Sequence, residues 1–214
     1  MFHVKQQQTK QVDKYADLIR RYHRTLDLMS GVAVEGLEEK FADSLAYAAF
    51  MAEKLAPPHR ILDIGSGVGL PGIPLAIRFP THPVTLVERR QKRASFLKIV
   101  ASQLQLENVT VVAKDVTAWQ QPLVTWVTAQ AVGRLLELYC LTRHLHDKRI
   151  YLVSRKGEGY AEEVKELQKQ LSIFNTDPSS AVSRETSVST VPLKSHGTLV
   201  AISLPGGLPC RPSV

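Results

Sequence analysis

The feature that most constrains this chain is a glycine-rich segment between two short apolar runs. Residues 61–72 read ILDIGSGVGLPG, so an apolar run ends in an acid and passes directly into a loop with four glycines. A second apolar run at residues 83–87 is closed by Glu88. Glycines allow sharp turns and the close approach of a ligand, and an acid after the next strand can accept hydrogen bonds from both hydroxyls of a ribose. Together these features predict a site for a cofactor that contains a nucleoside.

Two cofactors compete for such a loop. Residues 67–72 fit the pattern G-x-G-x-x-G of dinucleotide-binding proteins, although a pattern this short also occurs in loops that bind nothing. Asp63 favours S-adenosylmethionine, because a carboxylate beside the glycines could meet the amino-acid end of a zwitterionic ligand and would repel a pyrophosphate. Pro71, Pro74 and Pro80 limit the next helix to a length that is short for pyrophosphate binding. We therefore expect S-adenosylmethionine, with a dinucleotide as the alternative.

A third strand also ends near an acid. Residues 108–116 read NVTVVAKDV, which predicts a strand followed by Asp115, whose carboxylate could accept a hydrogen bond from an adenine amino group. Ser66 and Gly67 lie within the glycine-rich loop itself. Because the carboxyl ends of parallel strands meet at one edge of a sheet, we expect Glu88, Asp115 and the loop to converge on one ligand.

From residue 60 onward, short apolar runs alternate with helical patterns. This alternation predicts an α/β, Rossmann-like fold with a mostly parallel, seven-stranded sheet. The predicted strands are 60–64, 83–87, 109–113, 126–132 and 149–153, and the predicted helices are 72–79, 91–105, 134–145 and 160–171. Two further strands, at 182–191 and 198–204, have no helix between them and are expected to close the sheet as an antiparallel pair.

The N-terminal part of the chain predicts helices only. Apolar residues recur at helical spacing over residues 12–28, and a second helix is expected at 37–55. We therefore divide the chain into three parts: a helical extension at 1–57, an α/β domain with the cofactor site at 58–205, and a flexible tail at 206–214.

The chain has 214 residues and a net charge of +7. Such a charge favours polyanionic partners, with nucleic acid the leading candidate, although basic clusters can also be solvated helix faces. The apolar runs are far shorter than the roughly 20 residues that span a membrane, and the N-terminus lacks the apolar core of a signal peptide. We expect a cytoplasmic monomer. The histidines do not have the spacing of metal ligands, so no metal is expected.

The run DIGSGVGLPGIPLAI, with KRASFL and LENVTVV downstream, resembles the RsmG family, also called GidB. The resemblance covers about residues 12–204 and is most specific at GLPGIP. It implies that a methyl group is transferred from S-adenosylmethionine to a guanine N7 of 16S ribosomal RNA, with ribosomal RNA or the small ribosomal subunit as the partner. By position, it implies four cofactor contacts: Gly65, Leu70, Val116 and Thr117.

The chain departs from the family at one cofactor position and in the N-terminal helices. Gln130 replaces an arginine that lines the family's cofactor site, and Arg134 lies one helical turn further on. Lys156 matches a family lysine, and with Arg155 it is expected to contact RNA phosphate or the edge of the site. Arg134 is a third candidate for binding the substrate. These departures leave two alternatives open, namely a paralogue that methylates another RNA or a small molecule, and an RNA-binding relative without activity.

The expected chemistry needs no catalytic dyad. Guanine N7 already has an exposed lone pair, so no proton has to be removed before it attacks the methyl group. Catalysis can then rest on holding the reacting atoms in line at short distance. No catalytic residue is therefore assigned from the sequence.

Overall fold

The protein is described by a computed structural model that covers residues 2–56, 59–120, 123–130, 132–174, 186–194 and 196–206. Within these ranges the strands are β1 (Ile61–Ile64), β2 (Val84–Val87), β3 (Val109–Val112), β4 (Val124–Gln130), β5 (His146–Lys156), β6 (Ser187–Pro192) and β7 (Thr198–Pro205). The α-helices are α1 (Phe2–Tyr22), α2 (Gly31–Glu35), α3 (Leu37–Ala52), α4 (Gly72–Arg78), α5 (Gln91–Gln103), α6 (Leu135–Thr142) and α7 (Tyr160–Phe174).

The strands form one sheet in the order β3-β2-β1-β4-β5-β7-β6. Strands β1 to β5 are parallel, and β7 runs antiparallel to both β5 and β6. This topology confirms the predicted Rossmann-like fold and its closing antiparallel pair. The strand order reverses between β1 and β4, and in open parallel sheets that reversal leaves a crevice at the carboxyl ends of the strands.

Two strand boundaries were predicted wrongly. β4 ends at Gln130 rather than at residue 132, because Gln130 is its last residue in register with β5. β5 extends well beyond the predicted 149–153, because β7 pairs with it as far as Lys156. Part of the predicted strand at 182–191 and the tail from residue 207 lie outside the described residues.

The first helix is longer than its apolar pattern indicated and begins at Phe2 rather than at residue 12. Its early turns are held by polar side chains that hydrophobic periodicity does not detect. Gln8 donates to the carbonyl of Ile77 at 2.9 Å, and Gln11 donates to that of Leu104 at 2.8 Å, at the carboxyl ends of α4 and α5. None of the helices in the described ranges is long and apolar enough to cross a membrane.

The N-terminal helices share the hydrophobic core of the sheet. Tyr15, Ile19, Tyr47 and Met51 are fully buried and belong to the same cluster as Ile61 of β1. Their burial removes a large apolar area from water, which is the main favourable contribution to folding. The extension therefore packs directly against the face of the sheet that carries α4 and α5, and the boundary at residue 57 stays a prediction.

A buried polar pair joins the two central strands. Asp63 of β1 is fully buried, and the hydroxyl of Thr128 in β4 donates to its Oδ1 at 2.8 Å. Burial raises the pKa of Asp63 to about 7, because the core solvates a carboxylate poorly, while the bond from Thr128 acts in the opposite direction. Gly72 leaves the space for this carboxylate, since an added Cβ would lie 2.7 Å from Asp63 Oδ2 and would collide with Leu86.

We predict that Asp63 makes the wild-type protein less stable as the pH rises from about 4 to 7, and that this contribution is absent from the Asp63→Asn variant. The ordinary pKa of an aspartate side chain is 3.8, whereas the pKa of Asp63 is about 7 in the folded protein. Over that window the folded state holds a proton that the unfolded chain has lost, so the free energy of unfolding falls with pH. The Asp63→Asn variant has no such proton, and its stability relative to wild type should rise between about pH 4 and pH 7.

Urea unfolding of both proteins at several pH values measures this difference. Asp115→Asn is the matched control, because hydrogen bonds from Thr117 lower the pKa of Asp115 and place its titration below this window. A stability difference between Asp63→Asn and wild type that does not change with pH would contradict the prediction.

Candidate functional site

A cavity of about 740 Å³ opens at the carboxyl ends of the central strands. Its wall includes the residues that end or follow the first four strands, among them Gly65, Glu88, Asp115 and Gln130. This is the crevice expected at the reversal of strand order. Eight of the predicted cofactor residues line it: Gly65, Ser66, Gly67, Leu70, Glu88, Asp115, Val116 and Gln130.

The loop after β1 depends on glycines for its shape. Gly65 and Gly67 have φ angles of 61° and 57°, in the left-handed region that side chains with a Cβ rarely adopt. At Gly65 there is also no space, because an added Cβ would lie 2.5 Å from Val132 Cγ2. The loop can therefore pass close to the segment after β4 and leave its backbone exposed to the cavity.

Glu88 fastens this loop to the end of β2. Its Oε2 accepts a hydrogen bond from the Gly67 amide at 2.9 Å, and its Oε1 accepts one from the Arg90 amide at 2.8 Å. The carboxylate is nearly buried but forms part of the cavity wall. Since each carboxylate oxygen has two lone pairs, each keeps one that can accept from a hydroxyl group in the cavity.

Asp115 begins the 3-10 turn Val116–Ala118 after β3. Its Oδ1 accepts from the Thr117 amide at 3.0 Å and from the Thr117 hydroxyl at 2.7 Å. These bonds lower the pKa of Asp115, so the exposed side chain is a carboxylate at neutral pH. Val116 and Leu141 form an apolar part of the wall beside it.

Gln130, the last residue of β4, pairs in register with Arg155, the residue before the end of β5, and both line the cavity. The Arg155 guanidinium is held from two sides. Its Nε lies 3.7 Å from Oδ2 of the buried Asp43 on α3. Its Nη2 donates a hydrogen bond to the carbonyl of His196 at 2.9 Å. A positive charge is therefore fixed beside the uncharged Gln130.

Four of the predicted site residues do not line the cavity. Asp63 is enclosed in the core, so its predicted contact with the amino-acid end of a ligand does not fit the structure. Thr117 is exposed and bonded to Asp115 instead. The other two, Arg134 and Lys156, are paired with α7.

Arg134 and Lys156 both form ion pairs with α7 in the structure, and their predicted contacts with RNA stay predictions. Arg134 forms an ion pair with Glu166 at 2.6 Å. Lys156 pairs with Glu163 at 2.9 Å and donates to the carbonyl of Gly133 at 2.6 Å. Gly133 lines the cavity, so Lys156 supports the wall from behind.

The N-terminal extension forms one side of the cavity. Its lining residues are Leu28, Met29, Ala33 and Lys40. The turn that carries the first two is held by Asp27, which has a φ of 51°, and by Arg93, whose guanidinium donates to the Asp27 carbonyl at 3.4 Å. Such a turn has no apolar periodicity, so hydrophobic patterning does not detect it.

Basic side chains dominate the charged part of the cavity wall. We call them the basic rim, and they are Lys40, Arg89, Arg90, Arg93, Lys114 and Arg155. Among the described residues that line the cavity, Glu88 and Asp115 are the acids, which leaves a net charge of +4. Of these cations, the cluster at residues 89–93 was recognisable from the sequence. No group of three potential metal-ligating side chains is found among the described residues.

Solved structures with the same architecture are methyltransferases. Magnesium protoporphyrin IX methyltransferase from Synechocystis, solved with bound S-adenosylmethionine, superposes with a TM-score of 0.60 at 13% identity, covering 90% of this chain and 97% of that one. An S-adenosylmethionine-dependent methyltransferase from Aquifex aeolicus gives a TM-score of 0.57 at 15% identity, covering 79% and 93%. At such low sequence identities, the structural similarity establishes the fold alone.

Sequence comparison identifies the family. The model of the GidB family, described as rRNA small subunit methyltransferase G, matches residues 8–190. A protein from Chromobacterium violaceum with the name ribosomal RNA small subunit methyltransferase G is 32% identical over 172 residues, which are 80% of this chain and 81% of that protein. Its namesake from Helicobacter acinonychis is 33% identical over 151 residues, 70% of this chain and 83% of that one. This chain therefore belongs to the GidB family of rRNA small subunit methyltransferases.

Proposed function

We propose that this protein transfers a methyl group from S-adenosylmethionine to N7 of a guanine in 16S ribosomal RNA. The observation that carries the proposal is the cavity at the carboxyl ends of the strands, which combines a diol acceptor, Glu88, with the basic rim. Membership of the GidB family supports the same reaction and substrate.

The cavity suits S-adenosylmethionine in size and in the order of its polar groups. Glu88 has free lone pairs for the ribose hydroxyls, and Asp115 can accept from the adenine amino group beside the apolar Val116 and Leu141. The exposed backbone at Gly65 and Gly67 leaves room for the methionine part. When bound, this cofactor supplies a methyl group activated by a sulfonium.

Gln130 and Arg155 are assigned to the remaining end of the cofactor site. Gln130 provides an amide that can donate and accept, and Arg155 provides a charge that Asp43 and His196 hold in place. The neighbouring arginine therefore keeps a cation at this corner although Gln130 has none. Asp63 and Thr117 act indirectly in this proposal, through the strand pair β1–β4 and through Asp115.

The charge of the cavity favours RNA over a small neutral substrate. S-adenosylmethionine itself carries one net positive charge, so a wall with a net charge of +4 is not complementary to the cofactor. Basic side chains gathered at the mouth of a site are complementary to phosphates, which dominate the affinity of nucleic-acid binding. The basic rim therefore serves the substrate, and its phosphates offset the repulsion between rim and cofactor.

The reaction requires positioning rather than proton transfer. The N7 lone pair of guanine attacks the methyl carbon directly, the bond from that carbon to sulfur breaks, and the product guanine carries a positive charge. N7 lies in the deep groove of an RNA helix, so an unpaired guanine or one in a loop is the accessible target. The task of the protein is to hold that base in line with the methyl group.

We predict that Gly67→Arg abolishes binding of S-adenosylmethionine while the protein still folds. An added Cβ has room, since its nearest neighbour is the Gly65 carbonyl oxygen at 3.7 Å, and the left-handed backbone costs only about 1–2 kcal/mol. The arginine side chain would then occupy the cavity that Gly67 lines. Isothermal titration calorimetry measures the loss of binding.

Gly159→Arg is the matched control for this variant. Gly159 has the same left-handed backbone, with a φ of 86°, but does not line the cavity. It should therefore bind S-adenosylmethionine as the wild type does. Retained binding by Gly67→Arg would show that the glycine-rich loop is not the cofactor site.

We further predict that Arg89→Gln with Arg90→Gln weakens RNA binding and reduces its dependence on salt. Both arginines are exposed members of the basic rim. Loss of two phosphate contacts should lower the slope of log affinity against log salt by about 2. Filter binding of 16S ribosomal RNA at several salt concentrations measures the slope.

The double variant Arg20→Gln with Arg21→Gln is the control for total charge. It removes two exposed arginines from α1, away from the cavity, and should alter the slope much less. Equal slopes for both double variants would mean that RNA binding does not depend on the rim.

A further inference from the structure

Two tyrosine hydroxyls from the N-terminal helices bond to the backbone around the cavity. Tyr15 of α1 donates to the carbonyl of Val68 at 2.8 Å. Tyr47 of α3 donates to the carbonyl of Ala129 at 3.0 Å. Both tyrosines are essentially without solvent exposure, so each bond forms in the protein interior, where an unpaired carbonyl would be costly.

The two acceptors belong to the two segments that flank the site. Val68 lies in the glycine-rich loop and lines the cavity. Ala129 is the residue before Gln130, which ends β4 and lines the cavity from the other side. The two hydroxyls therefore hold both flanks from a single direction, that of the N-terminal helices.

The glycine-rich loop needs such support. Gly67 and Gly69, on either side of Val68, both have left-handed φ angles, and glycine has more conformational freedom to lose than any other residue. An added Cβ at Gly69 would lie 3.0 Å from the Tyr15 hydroxyl, which shows how closely the tyrosine approaches the loop. With Glu88 on its opposite side, the loop is fixed between two hydrogen bonds.

Both tyrosines are permanent donors. Burial raises the pKa of Tyr15 and of Tyr47, and the nearby carboxylate of Asp63 adds to the effect. The hydroxyls are therefore protonated at neutral pH and able to donate to Val68 and Ala129.

We infer that Tyr15 and Tyr47 are positioning residues for the cofactor, through which the N-terminal helices hold the glycine-rich loop and the end of β4 in the shape that binds S-adenosylmethionine. This inference rests on the proposed function for the identity of the ligand. The N-terminal extension then has two roles, since it forms one side of the cavity and also holds the cofactor-binding segments in place.

The test uses Tyr15→Phe and Tyr47→Phe, which remove only the hydroxyl groups, in the full chain. Tyr139→Phe is the matched control, because Tyr139 is equally buried, does not line the cavity, and donates to the carbonyl of Pro205 in β7 at 2.9 Å. All three variants should lose a similar amount of stability in thermal unfolding, since each leaves one buried carbonyl without its donor.

The affinity for the cofactor should distinguish the two site variants from the control. Without its hydroxyl anchor the free loop or strand end can leave the shape that binds the cofactor, so we expect the Kd for S-adenosylmethionine to rise in each site variant, by up to about fivefold, the equivalent of one ordinary hydrogen bond. The Kd should change less than about twofold in Tyr139→Phe. In steady state the KM for the cofactor should rise while kcat at saturation is kept. Unchanged affinity in the site variants, or an equal loss in the control, would overturn the inference.

Hydrogen exchange of the unliganded protein gives a second readout that needs no cofactor. Tyr15→Phe should speed exchange of the amides at residues 65–70, and Tyr47→Phe should do so around residue 130, whereas Tyr139→Phe should affect neither segment. A wild-type protein that binds no S-adenosylmethionine would contradict the proposed function, and the exchange pattern would still decide whether these tyrosines hold the loop. Exchange that is the same in all variants would overturn the inference.

Discussion

The site depends on the turn by which the chain leaves β1 and returns toward β2. Gly65 and Gly67 adopt left-handed backbone conformations there, and the carboxylate of Glu88 accepts the Gly67 amide. This hydrogen bond and the one from the Ser66 amide to the Val87 carbonyl at 3.2 Å hold the glycine-rich loop to the end of β2. The remaining features of the site are arranged around it, with Tyr15 behind the loop and Val132 close beside Gly65.

Local sequence signals were sufficient for the parts of the fold that repeat. Strands β1, β2 and β3 and the helices between them follow from apolar runs, glycines and prolines that act within a few residues. The convergence of Gly65, Glu88, Asp115 and Gln130 also followed from the sequence, because the carboxyl ends of parallel strands must meet at one edge. These local signals define where in the sheet a residue lies.

The direction of a side chain and its partners depend on contacts distant in sequence, and here the sequence was a poor guide. Asp63 was expected in the site but is enclosed, because Thr128 of β4 and the space left by Gly72 accommodate it in the core. Arg134 and Lys156, which were expected to face RNA, pair with glutamates of α7. The start of α1 was missed because glutamine amides, rather than an apolar stripe, fix it to α4 and α5.

The reaction proposed for this chain is methylation of a guanine N7 in the small ribosomal subunit. Its most direct test supplies radiolabelled S-adenosylmethionine and the protein to small subunits from cells that lack this modification, followed by digestion of the RNA to nucleosides. We expect label in 7-methylguanosine and in no other nucleoside. Label in a different nucleoside, or none at all from a protein that binds the cofactor, would contradict it.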